Sequence, residues 1–405
     1  MAALFPFRAL RPQPAVASLV AAVPYDVVSV EEARALAQGN PLSFLHVSRA
    51  EIDLPPGTSP YSDAVYAKAV SNFAALRADA PLTTEESPSV YVYTLRMNGH
   101  VQTGVAGCYS IDEYDRDVIE KHERTRPDKE DDRTRHMIEL RAQTGPVFLT
   151  YRASADIDRV TDRVTRGRPQ VDFTAVDKVQ HTLWRVDSAD ARELIAAFAR
   201  VATLYIADGH HRTASASRAR QTLRSSAGAS GEWDTFLAVA FPDTQVQILP
   251  YNRIVEDLAS HTPDSLLLAL RSRFEVREGP PRPVRRGEVA MFLEGRWQTI
   301  VLGDPAGMTT PAGRLDVSLL QEKVLSPLLG IADQRSDERI DFVGGVRGTS
   351  ELEALVASGR AAVAFSMYPV SVRDLMEIAD AGAVMPPKST WFEPKLRDGL
   401  LSHVI

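Results

Sequence analysis

The chain has 405 residues, 44% apolar and 24% charged. That is the balance of an ordinary globular protein and excludes disordered, collagen-like and rod-like chains. With 46 Lys and Arg against 53 Asp and Glu, the net charge is −7, so there is no overall basic footprint for nucleic acid. The length suits two to three domains. The only cysteine, Cys108, cannot form an internal disulfide and rules out multi-cysteine zinc sites. Its apolar, strand-like surroundings place it in the core. No apolar run reaches the length of a membrane span. Pro14 to Pro24 is too weakly apolar for a secretion signal. The expectation is a cytoplasmic protein with no membrane partner.

Taken in chain order, Ser29 and Glu32 fit a capping box that opens a short helix ending near Gly39-Asn40-Pro41. Tyr61 to Leu76 has helical apolar spacing. Val90 to Leu95 and Val101 to Ile111 read as strands joined through Asn98-Gly99, a strong hairpin signal. A charged block runs from Lys121 to His136. Pro146 to Tyr151 reads as a strand, Ala189 to Ala202 as a helix, Leu204 to Ala207 as a short buried strand and Thr213 to Leu223 as a helix. Phe236 to Phe241 and Val246 to Pro250 return to strand character. Beyond this point Thr262-Pro263-Asp264 starts a helix, and Glu278 to Pro283 is a turn or linker. A hairpin surrounds Gly295, and Val317 to Leu329 is amphipathic. Ser350 and Glu353 match a second capping box, Ala362 to Phe365 is a strand, and Val372 to Ala381 a helix. Mixed strands and helices throughout predict an α/β, mixed α+β, protein. The division expected is a domain over 1–250 and a smaller α/β domain over 251–405 that closes over the site.

Chemistry concentrates in three places. In Ile206 to Thr213 an apolar strand runs through a glycine turn into a helix. Free N–H groups and the helix dipole at such a start attract anions, and Gly209 allows close backbone approach. His210, His211 and Arg212 add donors and charge at that mouth, and Arg212 suits bidentate phosphate binding. Asp208 can hold Mg²⁺ or accept a proton. The plainer reading is that Asp208 is an N-cap and the histidines are surface residues. The second place is Lys121 to His136, where six Lys and Arg oppose five Asp and Glu. On a helix after Pro127, Lys129, Arg133 and His136 share a face. That segment can bring cations to a phosphate and carboxylates to a metal, or be a solvated face. The third is Met385 to Lys395, where Lys388, Ser389 and Thr390 offer a cation and hydroxyls beside Trp391 and Phe392; its plainer reading is an extended edge segment. Gly344 to Gly348 is a weaker anion-cradle candidate. No P-loop, G-x-G-x-x-G, H-E-x-x-H or G-x-S-x-G motif is present.

Five segments together resemble one family. They are Pro24-Tyr25-Asp26-Val27, Asn40 to Leu45, His122-Glu123-Arg124-Thr125 through Arg133, Ala207 to Arg212, and Met385 to Lys395. The family is DUF1015, bacterial and archaeal proteins whose name carries no activity, and the likeness runs in order over nearly the whole chain. Asp208 to Arg212 is also similar to the phosphate-binding turn of the ParB/sulfiredoxin-like superfamily, in the Asp-Gly-His-X-Arg form of its free serine kinases. The resemblance implies a ParB/sulfiredoxin-like nucleotide-binding core with a second, smaller α/β unit. It implies that Gly209, His210, His211, Arg212 and Thr213 hold nucleotide phosphates. Sulfiredoxin chemistry is disfavoured, because histidines stand where its cysteine is needed. The kinases use an N-terminal glutamate as base; Glu31 and Glu32 are placed for it by position only, and Glu123 is an equal rival.

The function expected is a nucleotide-dependent phosphotransferase on a small polar metabolite, serine or phosphoserine above all, using Mg²⁺ with ADP or ATP. Its catalytic set is Asp208, Glu123, His122 and Lys129, with Arg126 and Arg133 on the phosphates. Lys388, Ser389, Thr390 and Lys395 bind the substrate, and Asp208 the metal. Alternatives are a metal-dependent phosphohydrolase, with His122, Asp208, His210 and His211 as ligands, and a nucleotide-binding module without turnover. The partners expected are the nucleotide, the small substrate and a second copy in a homodimer.

Overall fold

Asn98 and Gly99 both take positive φ, 51° and 84°, the conformation a two-residue hairpin turn requires. The turn joins Tyr91–Met97 to His100–Ser110 in antiparallel register, Met97 opposite His100. In the computed structural model, which describes residues 2–78, 81–228 and 230–405, this hairpin lies within a nine-stranded mixed sheet. From one edge the order is Ile119–Glu120, Leu204–Asp208, Val147–Tyr151, Thr235–Pro242, the two hairpin strands, Gln180–Arg185 and Val171–Thr174. Leu4–Phe5 pairs off this path with His100–Ser110. Two of the pairings are parallel, Leu204–Asp208 with Ile119–Glu120 and Thr235–Pro242 with Val147–Tyr151.

The protein is therefore a mixed α/β fold, in two compact units. One comprises the residues up to Val246 together with Pro394–Ile405; the other is Gln247–Glu393. In the first unit, sheet residues such as Val92, Val105, Leu149 and Ile206 form a core with Ile157 and Val160 of one helix and Leu194 and Phe198 of another. A second core holds Phe44, Leu45 and Val47 against Val65, Ala69 and Phe73 of helix Asp63–Ala78. The second unit has a six-stranded antiparallel sheet with Tyr251–Val255 between Val363–Ser366 and Ile340–Gly344.

The capping box at Ser29 and Glu32 forms as expected, with both reciprocal bonds present. The one expected at Ser350 does not. The helix there begins two residues earlier, at Gly348, whose φ of 73° permits the sharp lead-in, so Ser350 lies inside the first turn. Val317 to Leu329 is not one continuous helix. It is α-helical over Asp316–Leu320 and Ser326–Leu329 with a π-helical turn, Gln321–Leu325, between them; Pro327 cannot supply the N–H a regular helix needs. Helix Ala155–Thr165 and the paired strands Val171–Thr174 and Gln180–Arg185 were not among the expected elements, because their apolar residues are few and interrupted by charges. Among the described residues no helix is long and apolar enough to cross a membrane.

Helix Pro127–Leu140 carries the charged block, and its buried face includes Asp132, Thr134, His136 and Met137. His136 bonds the Val47 carbonyl through Nε2 at 3.1 Å. Burial, then the Arg133 charge, push its pKa down to about 3. An unfolded histidine titrates near 6.5, so the folded state binds fewer protons below that pH and stability falls as the pH drops from about 6.5 toward 3. Glutamine at 136 keeps a donor for Val47 and removes the titration. Relative to the wild type, His136→Gln should gain about 2 kcal/mol between pH 7 and pH 5. Urea unfolding at the two pH values checks this; an unchanged difference would mean that the buried imidazole is already protonated.

Candidate active site

Leu204–Asp208 pairs antiparallel with Val147–Tyr151, with a register irregularity between Ile206 and Asp208. The chain then turns at Gly209, whose φ is 104°, into the 18-residue helix His210–Ala227. Gly209 is the N-cap and has no side chain with which to cap this helix start. Its first N–H groups therefore have no partner within the helix and point out of its end with the positive end of the dipole. The helix starts at His210, three residues before the sequence estimate, so both histidines and Arg212 belong to its first turn.

Arg212 lies beneath this turn, 5% exposed. Its Nη1 donates to the Pro146 carbonyl, and its Nη2 lies 3.6 Å from Asp26 Oδ2 and 3.7 Å from Asp208 Oδ1. Its buried Nε has no partner. Burial opposes its charge, but Asp26, Asp208 and Asp398 outweigh that and hold the guanidinium firmly protonated. Lys395 Nζ donates to Asp208 Oδ2 at 2.8 Å. Burial pushes the Asp208 carboxyl up; Lys395 and Arg212 outweigh it and keep the group well below the usual carboxylate range. Asp398 behaves oppositely. Burial drives its carboxyl up to about 7, although Arg212 pulls the other way.

The charged block meets the same turn. His211 Nε2 accepts the Arg126 N–H at 3.0 Å, and His210 Nε2 accepts the His122 N–H at 3.4 Å. The parallel register of Ile119 with Leu204 and Glu120 with Tyr205 delivers His122 and Glu123 to this level. The two imidazoles stand perpendicular with centroids 4.4 Å apart. Burial pushes His122 down to about 4, against the Ile206 backbone and the Asp208 charge. Burial, then the proximity of His122, hold His210 well below its ordinary value, so both rings are neutral at neutral pH. Helix Pro127–Leu140 is held beside the site by Ser215, which donates to the Glu130 carbonyl at 3.1 Å, and by Arg218 on Asp131 at 2.5 Å.

The structure thus gathers His122, Glu123, Asp208, Gly209, His210, His211, Arg212 and Lys395. Thr213 is buried, its hydroxyl donating to the Gly209 carbonyl at 3.1 Å, and so braces the turn. Other expected residues take partners of their own. Arg133 pairs with Asp132 at 2.7 Å and lies over the Tyr25 ring. Lys129 donates to the Tyr61 hydroxyl at 2.9 Å. Arg126 pairs its guanidinium with Asp128 at 2.9 Å. Lys388, Ser389 and Thr390 belong to the second unit. There Lys388 has a positive φ of 54° and its carbonyl accepts from the fully buried Arg253 at 3.1 Å, while Ser389 donates to the Pro386 carbonyl at 2.6 Å.

Two residues at the centre were outside the expected set. Asp26, 39% exposed, belongs to the Pro24-Tyr25-Asp26-Val27 segment, and its likeness to the family was the available signal. Asp398 has no local signal, since only its contacts across the first unit mark it. Its carboxylate packs on Gly145, where a Cβ would lie 2.6 Å from Oδ1. Gly145→Ala should therefore cost about 1–3 kcal/mol of stability, the penalty of overpacking. The loss should shrink when Asp398→Ser is made in the same chain. Denaturant unfolding of the two single variants and the double tests the contact, and strictly additive losses would refute it.

Among curated proteins none matches the chain in sequence. Among solved structures, C-terminally truncated SbnI from Staphylococcus aureus is 12% identical with a TM-score of 0.40, over 73% of this chain and 86% of that one. A free serine kinase in complex with AMP is 14% identical with a TM-score of 0.35, over 73% and 91%. A conserved hypothetical protein from Pyrococcus furiosus is 16% identical with a TM-score of 0.35, over 73% and 93%. The decisive likeness is in sequence. Residues 4–318 match the profile described as protein of unknown function DUF1015, and the chain belongs to that family.

Proposed function

We propose that the protein is a nucleotide-dependent phosphotransferase, moving a phosphoryl group between a nucleotide and the hydroxyl of a small polar metabolite such as serine. The observation that carries this reading is the glycine-led start of helix His210–Ala227, with Arg212 and Lys395 as two mostly buried cations behind it. Free helix N–H groups together with fixed positive charge make a pre-formed cradle for phosphate oxygens. In the forward direction the hydroxyl oxygen bonds to the terminal phosphorus, the bond from phosphorus to the leaving nucleotide oxygen breaks, and the hydroxyl proton goes to a carboxylate. Asp26 suits that role: it is partly exposed and beside Arg212. Glu123, 4.0 Å from His210 Nδ1, is the second carboxylate at the rim. Mg²⁺ on the nucleotide would supply charge neutralisation. The donor set accommodates it through Asp26, because Asp208 is already held by Lys395.

Thermal-shift screening of ADP, ATP, CTP and GTP with and without Mg²⁺, followed by serine and phosphoserine, tests the proposal, since a ligand of the native state raises the melting temperature. At least one nucleotide should stabilise the protein. Arg212→Ala should weaken that binding by about 1–3 kcal/mol, the loss of a charged hydrogen bond. Asp26→Asn should keep the fold but lose transfer. If no nucleotide shifts the melting temperature, the proposal is wrong. If Arg212→Ala does not fold, the Asp26→Asn transfer assay decides alone.

A further inference from the structure

We propose that His122, Glu123 and His210 form a binding site for a divalent transition-metal ion, with Zn²⁺ the best match. One ligand atom from each lies within 4.8 Å of the other two, and Glu123 Oε2 is 4.0 Å from His210 Nδ1. The independent observation is His122. It is 2% exposed, and neither ring nitrogen makes a hydrogen bond of good geometry, the Ile206 backbone being the polar group close to the ring. A buried imidazole without well-formed hydrogen bonds is costly, and a metal on one nitrogen removes part of that cost.

The fold brings the three groups together for a local reason. His122 and Glu123 follow directly on the strand Ile119–Glu120, which runs parallel to Leu204–Asp208, and His210 opens the helix that the second strand feeds. Side chains leaving the same end of two parallel neighbours converge. Glu123 is 37% exposed, so the site has one side open to solvent for the ion to enter and for a fourth ligand.

The chemistry of the set selects the ion. Two imidazoles with one carboxylate favour zinc-like ions, whereas Mg²⁺ prefers oxygen alone. Bonds of about 2.1 Å in a tetrahedral site put ligand atoms about 3.4 Å apart. Binding therefore draws the groups in by about an ångström, which the open position of Glu123 allows. His210 would bind through Nδ1, the nitrogen on the Glu123 side. Its proton would then sit on Nε2, and the 3.4 Å bond from the His122 N–H, already long, would be given up. Asp208 is left out of the set because Lys395 holds it at 2.8 Å.

The site stands independently of the phosphotransfer reading, and its test needs no nucleotide. Chelator-treated full-length protein is titrated with Zn²⁺ by calorimetry and with Co²⁺ by visible absorption. One ion per chain is expected, with a rise in melting temperature. His122→Gln and Glu123→Gln should each weaken binding at least tenfold, and His100→Gln, a histidine outside the cluster, should leave it unchanged. Excess Mg²⁺ should not displace Zn²⁺. Binding without stoichiometry, binding indifferent to His122→Gln and Glu123→Gln, or ready displacement by Mg²⁺ would each overturn the proposal. Glu123 is at the surface, so Glu123→Gln decides if His122→Gln does not fold.

Discussion

The guanidinium of Arg212, almost removed from water, ties distant segments of the first unit together. Burying such a charge is prohibitive unless carboxylates and hydrogen-bond acceptors surround it. The acids around Arg212 come from distant parts of the chain: Asp26 near its start, Asp208 one helical turn away, and Asp398 near its end. The last segment is fixed independently by backbone bonds. Ala22 and Asp398 exchange N–H and carbonyl at 3.1 and 2.9 Å, and the Gly399 N–H donates to the Thr144 carbonyl at 3.1 Å. Residues 394–405 therefore return to the first unit after the chain has built the second, and they carry Lys395 and Asp398 to the site.

The same guanidinium divides its carboxylates into two kinds. Asp208 has Lys395 in direct contact and stays ionised far into acid. Asp398 is also near Arg212, but deeper burial and the Asp26 charge leave it titrating near neutrality. Neighbouring acids whose environments push their affinities for protons apart are a pattern of sites that move protons. The two buried imidazoles are neutral, and the rim, at Asp26, Glu123 and Arg126, is exposed to solvent in part.

What could be read in the sequence was whatever rests on local chemistry. Asn98-Gly99 specifies its turn through the φ values of two adjacent residues, and Ser29 with Glu32 specifies a helix start within one turn. The run from Ile206 to Thr213 announces a strand, a glycine corner and a helix through its own order of residues. Meeting partners far along the chain leaves no such trace. His122 faces His210 from 88 positions away, and that contact exists only because a two-residue strand pairs parallel with Leu204–Asp208. Asp398 looks like any acid near a C-terminus until Arg212 is placed beside it. Lys129 and Arg133 show the converse. Helical spacing correctly put them on one helix, but which neighbour each would take, Tyr61 or Tyr25 with Asp132, depends on the packing of helices that spacing does not describe.

The glycine at the start of helix His210–Ala227 ties these points together. At some helix starts the N-cap side chain closes the turn: Ser29, Asp187, Thr262 and Ser371 each accept a backbone N–H, whereas Pro127–Leu140, Ala155–Thr165 and Gly348–Ala357 start without one. Such a cap is worth about 1 kcal/mol. At the 18-residue helix the chain places Gly209 instead, in a conformation that disfavours any side chain, and the acid just before it is drawn away by Lys395. Gly209 itself thus offers the first turn no side-chain acceptor. A backbone corner that glycine adopts readily, supported by buried charges from three segments, is where function is to be sought. Here Gly209 sets the helix start over Arg212, with Lys395 on the neighbouring Asp208, the arrangement on which the proposed phosphate site rests.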